Sequence, residues 1–304
     1  MALQSRQIAA ACAGVAANTL LGLSSLFWKE LGPLPPGTLL AVRILASLIT
    51  LLLIMGVLGR LGVMGQRLNR RNLVIHVVAA LLVACNWLTF IYASIQGHVV
   101  ESGLGYLLAP FVAIAAGRLV FGETMSRVRL AALLVIASCV LLLAYRSREL
   151  QHQVYVIIGI TWGFYACLKK VATLDAFSGL LCETMVLTLL LPALAWNNVL
   201  HLELPPGLPM ITWVMLAGSG LVSVVPLWLF SLAAARLTIT VMGFFQFVLP
   251  VTQLLVAVLI YRQSVSANSA LCFGMICIAL LSILSEPVLA RTFLSVRRNK
   301  HEAS

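Results

Sequence analysis

The chain has 304 residues, 62% of them hydrophobic and 10% charged, with a net charge of +11. A soluble domain is roughly half apolar and a quarter charged, so this composition leaves too little polar surface for a body in water and excludes a soluble enzyme or binding module. The Lys and Arg residues fall mostly in short stretches between apolar runs and in no nucleic-acid motif, so the basic balance reads as membrane topology, with no nucleic acid as partner.

Apolar runs of about 20 residues suffice to cross a bilayer. They recur along the whole chain and predict ten spans, at 7–27, 37–58, 73–95, 99–119, 127–145, 153–171, 176–197, 210–231, 238–260 and 267–286. Helices are the element expected, because lipid offers backbone groups no water partner and the runs are about twice the length of a barrel strand. The first run continues to Phe27, too long for a cleavable leader. The turn KELGPLPPG (29–37) enters the second span sharply, and HLELPPGLP (201–209) does the same before the eighth. Segment 59–72, with Arg60, Arg67, Arg70 and Arg71, reads as a basic loop. Residues 291–304 form a basic tail.

The seven Cys lie inside apolar runs, without a CxxC pair or a His/Cys cluster. They read as small buried hydrophobes, and neither a metal nor a cofactor is expected. With the N-terminus inside, all the loop bases except Lys29, Arg146, Arg148 and Arg262 fall on one side. By the positive-inside rule both termini are cytoplasmic in an inner (plasma) membrane, which requires an even number of spans.

The run Glu101–Ser126 holds Gly103, Pro110 and Phe121, and the same frame returns 140 positions later as Gly243, Pro250 and Tyr261. Gly22 and Lys29 on the first span match Gly163 and Lys170 on the sixth, and Arg43 on the second matches Glu183 on the seventh. Each half (1–147 and 148–290) then carries five spans. Five is odd, so the halves enter the membrane from opposite sides. The fold class expected is all-α, a polytopic membrane protein of ten transmembrane helices built as two inverted five-helix repeats.

The segments NWLTFIYA (86–93), ESGLGYLLAP (101–110), FGE (121–123), ETM (183–185), VPLWLFSLAAARL (225–237) and GFFQFVLP (243–250) resemble the EamA-like drug/metabolite transporter superfamily, and within it the RarD proteins. The resemblance spans nearly the whole chain. It implies an inner-membrane permease that exports small metabolites or drugs.

Arg43 and Glu183 each sit inside an apolar helix, where an ionisable group is costly and normally faces the bundle interior or a wet cavity. Arg43 reads either as the partner of a substrate anion or as a side chain snorkelling to headgroups. Glu183 reads either as a substrate-binding and coupling carboxylate, titrating a proton or binding a cation, or as a structural ion-pair member. Because the halves are inverted, the two are expected toward opposite leaflets and not in contact. Asn86, Trp87 and Tyr92 lie on the third span, where Asn86 could bond substrate and the aromatics could stack on it. Interhelical hydrogen bonding and packing are the plainer alternatives.

Tyr106 and Gln246 each stand four residues before a Pro, where the missing N–H frees a carbonyl, so a spare carbonyl and a polar side chain meet at one place and both residues are candidate substrate-binding lining. Pro110, Pro250 and, on the eighth span, Pro226 are therefore candidate hinges, with a purely packing kink as the alternative. Glu101 reads as a helix cap, and Lys29 and Lys170 as span-end anchors. No Walker motif is present. The expected activity is secondary transport of a small-molecule substrate by alternating access around a midplane site, driven by a proton or by the solute's own gradient. A membrane enzyme on a lipid-linked substrate and a channel-like pore are the rivals. Monomer and homodimer both remain open.

Overall fold

The computed structural model describes residues 2–60, 69–146, 151–197, 200, 202–260, 262, 271, 272 and 274–282. Among these, all regular structure is helical. The helices are α1 (Ala2–Glu30), α2 (Pro36–Val57), α3 (Arg70–Gln96), α4 (Val99–Leu119), α5 (Arg127–Arg146), α6 (His152–Val171), α7 (Ala176–Trp196), α8 (Met210–Arg236), α9 (Ile239–Gln246) and α10 (Val248–Leu255). A π-helical turn comes next at Val256–Ile260, and 271–282 is helical where described. Among the described residues, eight helical stretches are long and apolar enough to cross a membrane: α1 to α4, α6 to α8, and 239–260. The chain is an all-α polytopic membrane protein. The ends of the predicted tenth span, and the tail 291–304, lie outside the described residues.

Local chemistry sets the helix ends. Pro36 opens α2, where its missing N–H costs nothing. Asn69 accepts the amide of Asn72 at 2.8 Å to start α3, and Gly97 at φ 82° ends it in the left-handed region that glycine tolerates. Asp175 caps α7 through the Ser178 amide and hydroxyl. Burial pushes the Asp175 carboxyl up, but those two hydrogen bonds and the charge of Arg60 outweigh it and hold it below the ordinary carboxylate range.

The predicted ninth span is one helical stretch, 239–260, whose hydrogen-bond pattern is interrupted at Phe247, between α9 and α10, while Phe247 keeps helical dihedrals. Pro250 has no N–H for the Gln246 carbonyl, and the Phe247 amide turns instead to Phe244 O at 3.2 Å. By contrast, α4 and α8 run unbroken through Pro110 and Pro226. Glu123, just past α4, accepts the amides of Ile239 and Thr240 at 2.9 Å each and so caps α9 from the other half of the chain.

The outer surface is apolar. Leu53, Leu134, Leu189 and Leu259 are exposed, the pattern of a face against hydrocarbon. The polar side chains Asn18, Ser47, Ser219 and Ser223 are buried instead. α1 packs on α8 and α10, while α6 packs on α3 and α4; α2 packs on α8 and α7, and α3 on α7. Exchanging the first and second halves maps this set of contacts onto itself. A smaller apolar cluster joins α4, α5 and α9 to 271–282 through Leu107, Ile136, Phe244, Cys272 and Ile276.

Two close approaches repeat in both halves. A Cβ on Gly22 would lie 2.6 Å from Thr252 Cβ and 2.8 Å from Leu249 O. A Cβ on Gly163 would lie 2.5 Å from Val112 Cβ and 2.8 Å from Ala109 O. Residues 109 and 112 stand 140 positions before 249 and 252, so α1 meets α10 as α6 meets α4. Only glycine lets these backbones approach so closely.

Candidate functional site

Arg43 lies on the second turn of α2, about 10 Å from the helix start at 1.5 Å per residue, and is 2% exposed. Its guanidinium carbon is 3.9 Å from the ring centre of Trp87 on α3 and 4.6 Å from that of Trp28 at the end of α1. Two indole faces therefore hold the cation. No acidic side chain pairs with it among the described residues, and its Nε and Nη1 have no hydrogen-bond partner. The structure shows no snorkelling, because the whole side chain is enclosed.

Asn86 precedes Trp87 and ties three helices together. Its Nδ2 donates to Thr161 Oγ1 at 3.2 Å and to Ile158 O at 3.3 Å on α6, while its Oδ1 accepts from the Tyr106 hydroxyl of α4 at 3.0 Å. Tyr106 meets Trp162 of α6 edge to face at 6.2 Å. Arg43, Asn86, Trp87 and Tyr106, with Leu21, Ser24, Phe90, Trp162 and Leu249, line one interior cavity of about 10 Å³. That is near the smallest space that admits a single water. The site is closed, and its walls come from α1, α2, α3, α4, α6 and α10.

Glu183 sits on the second turn of α7, in the frame that Arg43 occupies on α2. Its Oε1 lies 2.9 Å from Lys169 Nζ and 2.8 Å from His76 Nδ1, and its Oε2 accepts from the Tyr165 hydroxyl at 3.1 Å. Carboxylate, ammonium and imidazole are each nearly or fully buried. The carboxylate is therefore saturated with donors, whereas the Arg43 cation is not. Trp28 and Lys169 also occupy equivalent positions, 141 apart. One half places an aromatic ring against its buried charge, and the other places a countercharge. His76 and Trp87 are separated along α3 by about 16 Å at the helical rise, so the two networks lie toward opposite ends of the bundle. Arg43 and Glu183 do not touch, as expected from inverted halves.

Of the other residues singled out in the sequence, Tyr92 lies outside the cavity. It stacks on His98 at 5.8 Å and lines an open groove with Pro36, Leu88, Gln151 and Ile157. Gln246 is 1% exposed at the end of α9, with neither amide atom hydrogen-bonded. It stands one turn before Leu249, a cavity wall. Glu101 lies in the first turn of α4 with its carboxylate 3.1 Å from His98 Nδ1, and no side-chain hydrogen bond caps the start of that helix. Lys170 donates to Leu237 O. Sequence reasoning missed Trp28 and Trp162 in the first network, and His76, Tyr165 and Lys169 in the second. Lys169 was within reach, because the short turn 172–175 folds α6 and α7 into a hairpin that faces its last turn toward Glu183. No group of three or more metal-binding side chains occurs among the described residues.

No protein-family model matches this chain. It is 31% identical over 275 residues to an uncharacterized transporter of Vibrio cholerae, covering 88% of this chain and 89% of that protein. It is 31% identical over 274 residues to protein RarD of Streptomyces exfoliatus, covering 88% and 85%. Protein RarD of Escherichia coli is 27% identical over 279 residues, covering 90% and 93%. A solved protein structure superposes with a TM-score of 0.68 at 17% identity, over 91% of this chain and 97% of that one, a likeness of fold. With matches of this length to proteins named as transporters, the chain belongs to the RarD family of membrane transporters.

Proposed function

We propose that the chain is a secondary exporter of small organic solutes, working by alternating access in the inner membrane with both termini cytoplasmic. The observation that carries this reading is the closed interior cavity around Arg43, walled by helices from both halves of the chain. A cavity of about 10 Å³ is far below the roughly 300 Å³ at which small-molecule pockets begin, so solute enters only when the halves move apart. The residues proposed to meet it are Arg43, Trp87, Tyr106 and Asn86, with Gln246 and Tyr92 on the approaches. The reproduced contacts of Gly22 and Gly163 support two inverted five-helix repeats, 1–147 and 148–290, as the moving units. Pro250, at the break between α9 and α10, is the strongest hinge candidate, ahead of Pro110 and Pro226.

Glu183 is the proposed coupling carboxylate. Protonating it would neutralise the anion that holds Lys169 and His76, loosening α6 and α3 from α7 together.

Proteoliposomes test the reading. Saturable counterflow of a labelled solute, with loss of pH-driven transport in Glu183→Gln, is the expected result. Linear, non-saturating flux would instead identify a channel-like pore, and product formation without net movement would identify an enzyme.

A further inference from the structure

Arg43, the Trp28 indole against it and the Trp162 indole in the cavity share one property. The atoms they leave unpaired are Arg43 Nε and Nη1, Trp28 Nε1 and Trp162 Nε1. Guanidinium and indole nitrogens only donate, and among the described residues no anionic acceptor answers them. The neutral oxygens of the lining, Asn86 Oδ1, Tyr106 Oη and Ser24 Oγ, are each already in a hydrogen bond and carry no charge. A buried cation without a counterion is among the most expensive groups a protein can hold. The cation–π contacts with Trp28 and Trp87 offset part of that cost and leave the net charge unanswered.

From this we infer that the solute is a monoanion bearing a carboxylate, taken up by Arg43 with help from the indole N–H of Trp162. The inference rests on the transport reading above and names its substrate class. One cation among Leu21, Phe90, Trp87, Trp162 and Leu249 matches a single negative charge on an apolar or aromatic body. A phosphate dianion would bring a second charge for which the lining holds no cation. The acids of the molecule do not compete, because Glu183 is paired with Lys169 and His76 at the far end of α3. The carboxylate would answer the charge of Arg43 once the halves have parted far enough to admit it.

The test compares cells producing wild-type protein, Arg43→Gln, Arg43→Lys or none, by untargeted mass spectrometry of cells and medium. The expected result is that solutes redistributed by the wild type carry a carboxylate and a net charge of about −1. Their redistribution should fall about tenfold or more in Arg43→Gln, the scale of one lost charge-assisted hydrogen bond, and recover in part in Arg43→Lys. Neutral or cationic solutes moved by the wild type would overturn the proposal while leaving transport intact. So would an Arg43→Gln protein that remains monodisperse and moves the carboxylates undiminished. No solute redistributed by the wild type in either direction would overturn the transport reading itself. Were Arg43→Gln not to fold, the charge class of the wild-type solutes and the Arg43→Lys ratio would still decide.

Discussion

Two buried charges at equivalent positions have opposite surroundings. Glu183 has three donors around one carboxylate, whereas Arg43 has aromatic faces and, among the described residues, no acid. Both sites are visible in the sequence as isolated ionisable residues in apolar runs, because a charge in a span stands out by composition alone. Their partners are not visible in the same way. Trp28, Trp87 and Trp162 resemble packing aromatics in the sequence, and only the fold sets Trp28 and Trp87 against Arg43 and Trp162 in the same cavity lining. The Glu183 network yields a stability prediction. Lys169→Met leaves a buried carboxylate short of its cation and should cost about 3–5 kcal/mol. Adding Glu183→Gln to that variant should recover a large part, since the amide still accepts from Tyr165 and carries no charge. Thermal unfolding in detergent of the two single variants and the double one measures the coupling, and equal midpoints for Lys169→Met and wild type would contradict a buried ion pair.

Among the elements, the runs of apolar residues locate the helices to within a few positions, and the caps at Asn69 and Asp175 explain where two of them begin. The break in the ninth span is marked by Pro250, but Pro110 carries the same mark and α4 stays continuous. Proline removes one donor in either case. Whether the helix then breaks depends on how firmly neighbouring helices hold the flanking turns in line, which is a matter of packing. The glycines make a sharper prediction. Gly22→Ala and Gly163→Ala each push a methyl into a facing Cβ and carbonyl, so each should lower stability by about 1–3 kcal/mol. The two losses should be similar, because the contacts are copies of one another. Melting of the two purified variants checks this, and a large loss in one with none in the other would break the equivalence of the α1–α10 and α6–α4 contacts.

For the whole molecule, the decisive property is orientation. The split of Lys and Arg between alternate loops, together with five spans per half, predicts that residue 151, before α6, faces the outside while the N-terminus faces the cytoplasm. A single cysteine introduced at the exposed Gln151 in a cysteine-free background should react with a membrane-impermeant maleimide added to intact cells. One placed at the start of α1 should not. Labelling of both from the same side would remove the inverted arrangement, and with it the mechanism of opposing halves.

The order of residues by itself determined that the protein lives in a membrane, where its helices run, and that one glycine, proline and aromatic frame returns 140 positions on. Those properties are local or periodic, and hydrocarbon enforces them without regard to which helix lies beside which. Tertiary structure alone decided that Arg43 would be set between two indoles, and that Lys169 and His76 would answer Glu183. Such contacts join side chains from separate helices, and only the packing of α1, α2, α3, α6 and α7 against one another brings them within reach.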